Sequence, residues 1–178
     1  MKNYLFSERD QAMMSIALEE AQKALDLGNF PIGAVLVVND KVIAQAGNQL
    51  NTQHDRISHA EMRLFMQYSA KIYQWDTIEH AKIELFTTYE PCLMCLGTAV
   101  LHRVQRIVVA CQDPRGNMQS IQPAALGSFY ATHWPTIEYG LYSEAAFKLL
   151  HYFHTHRTDP EGKQVAELFS TLAKNKNI

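Results

Sequence analysis

Apolar residues recur along this chain in two rhythms. From Ser7 to Leu27, Met13, Ile16, Ala17, Ala21, Ala24 and Leu25 return at helical spacing, with Ser7 as the N-cap and Gly28 as the stop. Gly33 to Val38 is a short, continuous apolar run, the pattern of a buried strand. Asn39-Asp40-Lys41 turns it into a second strand over 42–47. Residues 48–58 are polar and aperiodic, which predicts a loop. A helix follows from Ser58 to about Tyr73, with Ser58 and Glu61 at the spacing of a capping box. Strands are predicted over 81–88, 106–111 and 136–139. Further helices are predicted from Pro91, placed in a first turn, to Leu101, within 123–131, over 143–156 and over 160–173.

Strands alternating with helices predict an α/β fold, a three-layer α/β/α sandwich with helices on both faces of a five-stranded sheet. At 178 residues the expectation is one domain over 1–178, with 143–178 as its C-terminal helices and Lys174 to Ile178 as a fraying tail. An apolar share of 47% is enough for one sizeable core. No run is apolar enough to span a membrane, and the opening residues lack a signal-peptide core. The net charge of −2 and pI near 6.4 argue against a strongly electrostatic nucleic-acid binder. Three cysteines are too few for a disulfide framework, so a reducing, cytoplasmic setting is expected.

Two of those cysteines carry the chemistry. Cys92 and Cys95 lie three apart at a predicted helix start, so both sulfurs fall on one side of the first turn and can grip one ion. The helix N-terminus and a metal both favour thiolates. His59, at the start of the other helix, supplies an imidazole nitrogen. Three protein ligands leave a fourth tetrahedral position open for water, the mark of a catalytic zinc. Glu61, two residues beyond His59, is placed to move a proton without ligating the metal. A Cys-x-x-Cys alone also fits a redox pair or half of a structural zinc site. Cys111 is the candidate fourth ligand for the latter, although its apolar strand fits a buried core thiol. His-x-Glu followed by Pro-Cys-x-x-Cys, each at a helix start, favours the catalytic reading.

The segment from about Phe30 to Asp113 resembles the cytidine/deoxycytidylate deaminase superfamily. Pro31-x-Gly33-Ala34-Val35, His59-Ala60-Glu61 and Pro91-Cys92-x-Met94-Cys95-x-Gly97 are most similar to the branch holding tRNA adenosine deaminases and guanine deaminases. The resemblance implies a mixed five-stranded sheet with its last two strands parallel, and one Zn2+ per chain on His59, Cys92 and Cys95. It implies Glu61 as proton shuttle. Asn48 would hydrogen-bond the base, the Ala60 backbone N–H would help hold it, Phe30 would stack on it, and Asp113 would lie on the substrate side. It also implies a homodimer or larger assembly.

The sequence departs from the tRNA enzymes in the loop 113–122, which lacks their Lys-Thr-Gly-Ala stretch, and in Ile57-Ser58 where they commonly carry Pro-Thr. The slight negative charge favours a small substrate, so the expected reaction is hydrolytic deamination of a free purine, a related base or a nucleoside. The alternative is the wobble adenosine of tRNA. An alternative of another class is a non-catalytic zinc-binding module. His151, His154 and His156 form a second cluster, readable as a metal site or, with Lys148, Arg157, Arg103 and Arg106, as an RNA-backbone surface.

Overall fold

The computed structural model describes residues 5–116 and 118–176. Its sheet has the order β2-β1-β3-β4-β5, formed by β1 (Gly33–Val38), β2 (Lys41–Gly47), β3 (Ile83–Tyr89), β4 (Arg106–Cys111) and β5 (Thr136–Tyr139). β1 is antiparallel to both β2 and β3, whereas β3–β4 and β4–β5 are parallel. The sheet is therefore mixed, with its last two strands parallel. Asn39 and Asp40 adopt positive φ, as a two-residue hairpin turn requires.

Because β1, β3 and β4 are central, their residues are buried on both faces. Ala34, Leu36, Leu85, Ile107 and Val109 pack with Leu64, Phe65 and Ile72 of α3 (Ala60–Thr77) and Leu96 and Ala99 of α4 (Leu93–Leu101). On the other face Val35, Val37, Phe86 and Val108 meet α1 (Glu8–Asp26), α6 (Ser143–Thr155) and α7 (Pro160–Lys176). α1 lies so close to the sheet that a Cβ on Gly33 would stand 2.0 Å from the Ala17 carbonyl oxygen, which reserves that position for glycine.

Several predicted boundaries move. Ser7 caps α1 as expected, through a reciprocal box with Asp10. Ser58 does not cap α3: its hydroxyl donates to Asp55, and His59 is the N-cap. Pro91 precedes α4 rather than opening it, and Cys92 is the N-cap. The loop 48–58 contains a one-turn helix, α2 (Leu50–Gln53). The helix expected within 123–131 splits at Gly127, φ +102°, into a 3-10 turn (Pro123–Leu126) and α5 (Ser128–His133). α7 continues through Lys174 to Lys176, where a fraying tail was expected; Asn177 and Ile178, like Asn117 of the 113–122 loop, lie outside the described residues.

At the starts of β3 and β4 lies a buried charge network. Arg106 donates to Asp10 (2.7 and 3.2 Å), Glu84 (3.1 Å) and Glu138 (2.6 and 3.2 Å). Arg9 joins it through Glu84 and Asp10. The other cations expected to face RNA are also engaged: Lys148 with Glu144, Arg157 with Asp159, and Arg103 with Asp76 and the Phe129 ring. The three late histidines diverge. His151 bonds Ser170, His154 is buried against Phe169, and His156 bonds the Tyr152 carbonyl. Among the described residues they form no metal-binding group.

Candidate active site

β3 is followed by Glu90, Pro91 and the N-terminus of α4, and the N-terminus of α3 meets it there. His59 and Cys92 occupy the two N-cap positions with extended backbones, and neither makes a side-chain cap bond. Both side chains are thereby left for another partner, and two positive helix ends converge on one point. Cys95 lies one turn into α4 and is fully buried.

The donor spacing gives a direct test of fit. A tetrahedral zinc with bonds of about 2.3 Å to sulfur and about 2.0–2.1 Å to nitrogen sets its ligands about 3.8 Å apart for S···S and about 3.5–3.6 Å for S···N. Here the two sulfurs are 3.7 Å apart, and His59 Nδ1 lies 3.6 Å from Cys92 Sγ and 3.5 Å from Cys95 Sγ. Among the described residues this is the one histidine, cysteine and carboxylate group arranged to hold a metal. Cys111 is not part of it; its sulfur lies 3.5 Å from the Gln112 carbonyl oxygen. Among the described residues the group offers three ligand atoms, the number of a catalytic zinc site, and not the four of a structural one.

Glu61 is 3% exposed and stands beside the triangle, its Oε2 3.6 Å from Cys95 Sγ. Its Oε1 lies 2.9 Å from the hydroxyl of Thr87, a buried residue of β3 that sequence reasoning missed. The only signal for Thr87 was a pair of threonines, Thr87 and Thr88, near the end of a strand buried along its whole length. Burial pushes the Glu61 carboxyl up, against the Thr87 bond, so its proton affinity exceeds that of an exposed glutamate. Hydrogen bonding from Cys95 and His59 draws the Cys92 thiol down to about 4 despite burial, while its bond to Cys92 and its own burial push Cys95 up. The same Cys92 contact raises His59. A bound divalent cation reverses this order for Cys95, because a coordinating thiol is deprotonated.

The remaining predicted residues lie around this centre. Ala60 is the first residue of α3, where the backbone N–H has no partner within the helix. Asn48 is 2% exposed just past β2; its Oδ1 accepts from Leu50 N–H at 2.9 Å, and no described hydrogen bond uses its side-chain N–H. Phe30 packs against Phe153 (ring centroids 4.7 Å) with the Arg157 guanidinium over its face. The Asp113 carboxylate is clamped by Arg115, and its N–H donates to Glu90. No described contact joins Phe30 or Asp113 to Glu61 or to the ligand triangle.

Comparison with known proteins agrees with this geometry. Residues 7–111 match the family model of the cytidine and deoxycytidylate deaminase zinc-binding region. The chain is 39% identical over 108 residues to a tRNA-specific adenosine deaminase of Bacillus subtilis, covering 61% of this chain and 65% of that protein. It is 33% identical to the Agrobacterium fabrum tRNA-specific adenosine deaminase, covering 82% of this chain and 95% of the relative. A solved structure described in work on A-to-I editing by tRNA:A34 deaminases superposes with a TM-score of 0.65 at 29% identity, over 78% of this chain and 99% of that one. The Nitrosomonas europaea guanine deaminase shares the fold, with a TM-score of 0.67 at 22% identity over 85% of this chain and 86% of that one. With the ligand triangle and the glutamate beside it, these matches place the chain in the cytidine and deoxycytidylate deaminase family, as a zinc-dependent hydrolase of C–N bonds.

Proposed function

We propose that the chain deaminates adenosine to inosine in tRNA, at the wobble position. One observation carries this over the free base or nucleoside expected from composition: the 33% identity to a tRNA-specific enzyme runs along 95% of that relative. The net charge is a weak guide to the substrate because it averages over the molecule. Asp10, Glu84 and Glu138 spend their charge on Arg9 and Arg106, in the buried network at the strand starts. Beside the site, His54 and Arg56 are exposed within five residues of His59, where a phosphate backbone would pass.

His59, Cys92 and Cys95 hold the zinc, which supplies Lewis acidity that brings the pKa of water near neutrality. Glu61 takes the proton from the attacking water, with Thr87 fixing one carboxylate oxygen so that the other faces the site. Glu61 then gives that proton to the ring nitrogen. As the C–N bond breaks, Glu61 passes the proton of the added hydroxyl to the leaving amine; one water is consumed, ammonia leaves, and a carbonyl remains. The N–H of Ala60 and the side chain of Asn48 orient the base. Phe30 and Asp113 act at the rim of the pocket.

The functional unit is a homodimer in this reading. Met66 and Tyr73 on α3, seven apart, and Leu93 and Leu101 on α4, eight apart, are 64%, 71%, 64% and 61% exposed. Each pair lies on one helix face, and a second copy would cover both. A cytoplasmic setting fits the cysteine chemistry. No described helix is long and apolar enough to cross a membrane.

The test incubates the zinc-loaded protein with an anticodon stem-loop carrying adenosine at the wobble position, and with guanine, adenosine and cytidine. Inosine in the RNA, with no ammonia from the small molecules, is the expected result. Ammonia from guanine or a nucleoside with unchanged RNA would overturn it. Light scattering on the same sample reads the dimer.

A further inference from the structure

Glu90 stands between the metal ligands and the substrate rim, and no step above uses it. It is 5% exposed and lies two residues before Cys92. Its backbone N–H donates to the Cys111 carbonyl at the end of β4 (2.8 Å). Its Oε1 accepts from the Tyr139 hydroxyl at the end of β5 (2.9 Å), and its Oε2 accepts from the Asp113 N–H (3.1 Å). The turn that carries Asp113 folds over this carboxylate: a Cβ on Gly116 would sit 3.6 Å from Glu90 Oε2. One side chain thus ties together the ends of β3, β4 and β5.

Both partners of this carboxylate are neutral donors, one O–H and one N–H, and no described ion pair supplies Glu90 with a cation. A buried carboxylate without a counter-ion is a costly way to fill space. Its two oxygens hold two separate elements at once, which no apolar residue of the same size can do. A glutamine keeps the shape and both contacts, its oxygen accepting from the Asp113 N–H and its NH2 donating to the Tyr139 hydroxyl, whereas a leucine keeps neither. We propose that Glu90 is a positioning residue that fixes Cys92 for the metal and Asp113 for the substrate in one register, so that metal site and substrate rim are set by the same carboxylate. This rests on Cys92 as a zinc ligand, and not on tRNA as the substrate.

The experiment compares the zinc-loaded parent with E90L, E90Q and Y139F. Zinc affinity is read by chelator competition, and kcat and KM on whichever substrate is turned over. E90L should bind zinc about tenfold or more weakly, the usual effect of losing a group that orients a metal ligand, and kcat/KM should fall with it. E90Q should stay within about threefold of the parent, because it keeps both contacts. Y139F should fall between the two, since it leaves Glu90 Oε1 without its donor but keeps the Asp113 contact. A filler role would leave E90L, which keeps the volume, no worse than E90Q. The proposal is overturned if E90L binds zinc within about twofold of the parent, or if E90Q binds it as weakly as E90L. Should E90L fail to fold, Y139F decides: zinc binding about threefold or more weaker than the parent supports the tie, and parent-like affinity refutes it. Zinc affinity needs no substrate, so these results stand whether or not inosine appears in RNA.

Discussion

Replacing Arg106 with methionine tests the charge network at the strand starts. Arg106 makes five hydrogen bonds to three carboxylates, and its own side chain is only 18% exposed. Its loss leaves Glu84 with Arg9 and Lys82, and leaves Asp10 with Arg9 and the Ser7 cap. Glu138 loses the one cation that the described ion pairs give it. Breaking a buried pair costs about 3–5 kcal/mol, and the partial compensation at two of the three sites puts R106M near about 3 kcal/mol. With a urea slope of about 2 kcal/mol/M, the unfolding midpoint should drop by about 1.5 M at pH 7, followed by the fluorescence of Trp75 and Trp134. The pH dependence has a definite sign. Burial alone would raise the Asp10 pKa, but the bonds from Arg106 and Ser7 overcome it and hold the folded value at about 2; Glu84 is lowered as well, its burial outweighed by Arg9, Arg106 and Lys82. A depressed carboxylate contributes stability that is complete above its unfolded pKa, near 3.9, and is lost as pH falls toward the folded value. The parent should therefore lose its advantage between about pH 4 and pH 2, so that the gap to R106M at pH 3 is about 1 kcal/mol smaller than at pH 7. Zinc release in acid affects both proteins and cancels in the difference. A gap below about 1 kcal/mol at pH 7, or one that does not narrow in acid, would refute the reasoning.

Three further outcomes are expected. Glu61→Gln should keep one zinc per chain by metal analysis while kcat falls about 10²–10⁴-fold; loss of the metal would assign Glu61 a different role. Thr87→Val should retain zinc and lower kcat/KM about tenfold, since a buried hydrogen bond to a carboxylate is worth about 1.5 kcal/mol or more; unchanged kinetics would show that Glu61 is held by other means. Gly33→Ala should cost about 3 kcal/mol in urea unfolding, because its Cβ would meet the Ala17 carbonyl and α1 would have to move off the sheet; a shift of under about 0.5 kcal/mol would contradict that contact.

The strands were legible because burial writes itself into composition. β1 and β4 follow their Val-rich, buried runs, and β5 also keeps its predicted bounds although Thr136 and Glu138 interrupt its apolar residues. The helix starts beside the metal were displaced, and for one physical reason. Ser58 and Pro91 are good local start signals, but the cap positions one residue on are taken by His59 and Cys92, whose side chains face the site instead of the backbone. The ligand triangle and Glu61 could be read from spacing alone. Thr87 and Glu90 could not, because their partners lie 26 and 23 or more residues away. The sign of the net charge carried the least information, because it cannot tell charges paired in the interior from those facing a ligand.

The mixed sheet separates two ways in which this molecule can fail. Because β3, β4 and β5 run in one direction, their far ends gather Cys92, Glu90 and Asp113, while the near ends of β3 and β4 gather the arginine network. A chelator acts on the first rim, and a lost arginine acts on the second. Damage to one rim should thus be visible without damage to the other: inactivation with the sheet intact, or a softened fold with the catalytic groups still in place. For an engineer, loops at the chemical rim can be exchanged to change the substrate while thermal tolerance is adjusted independently at the other.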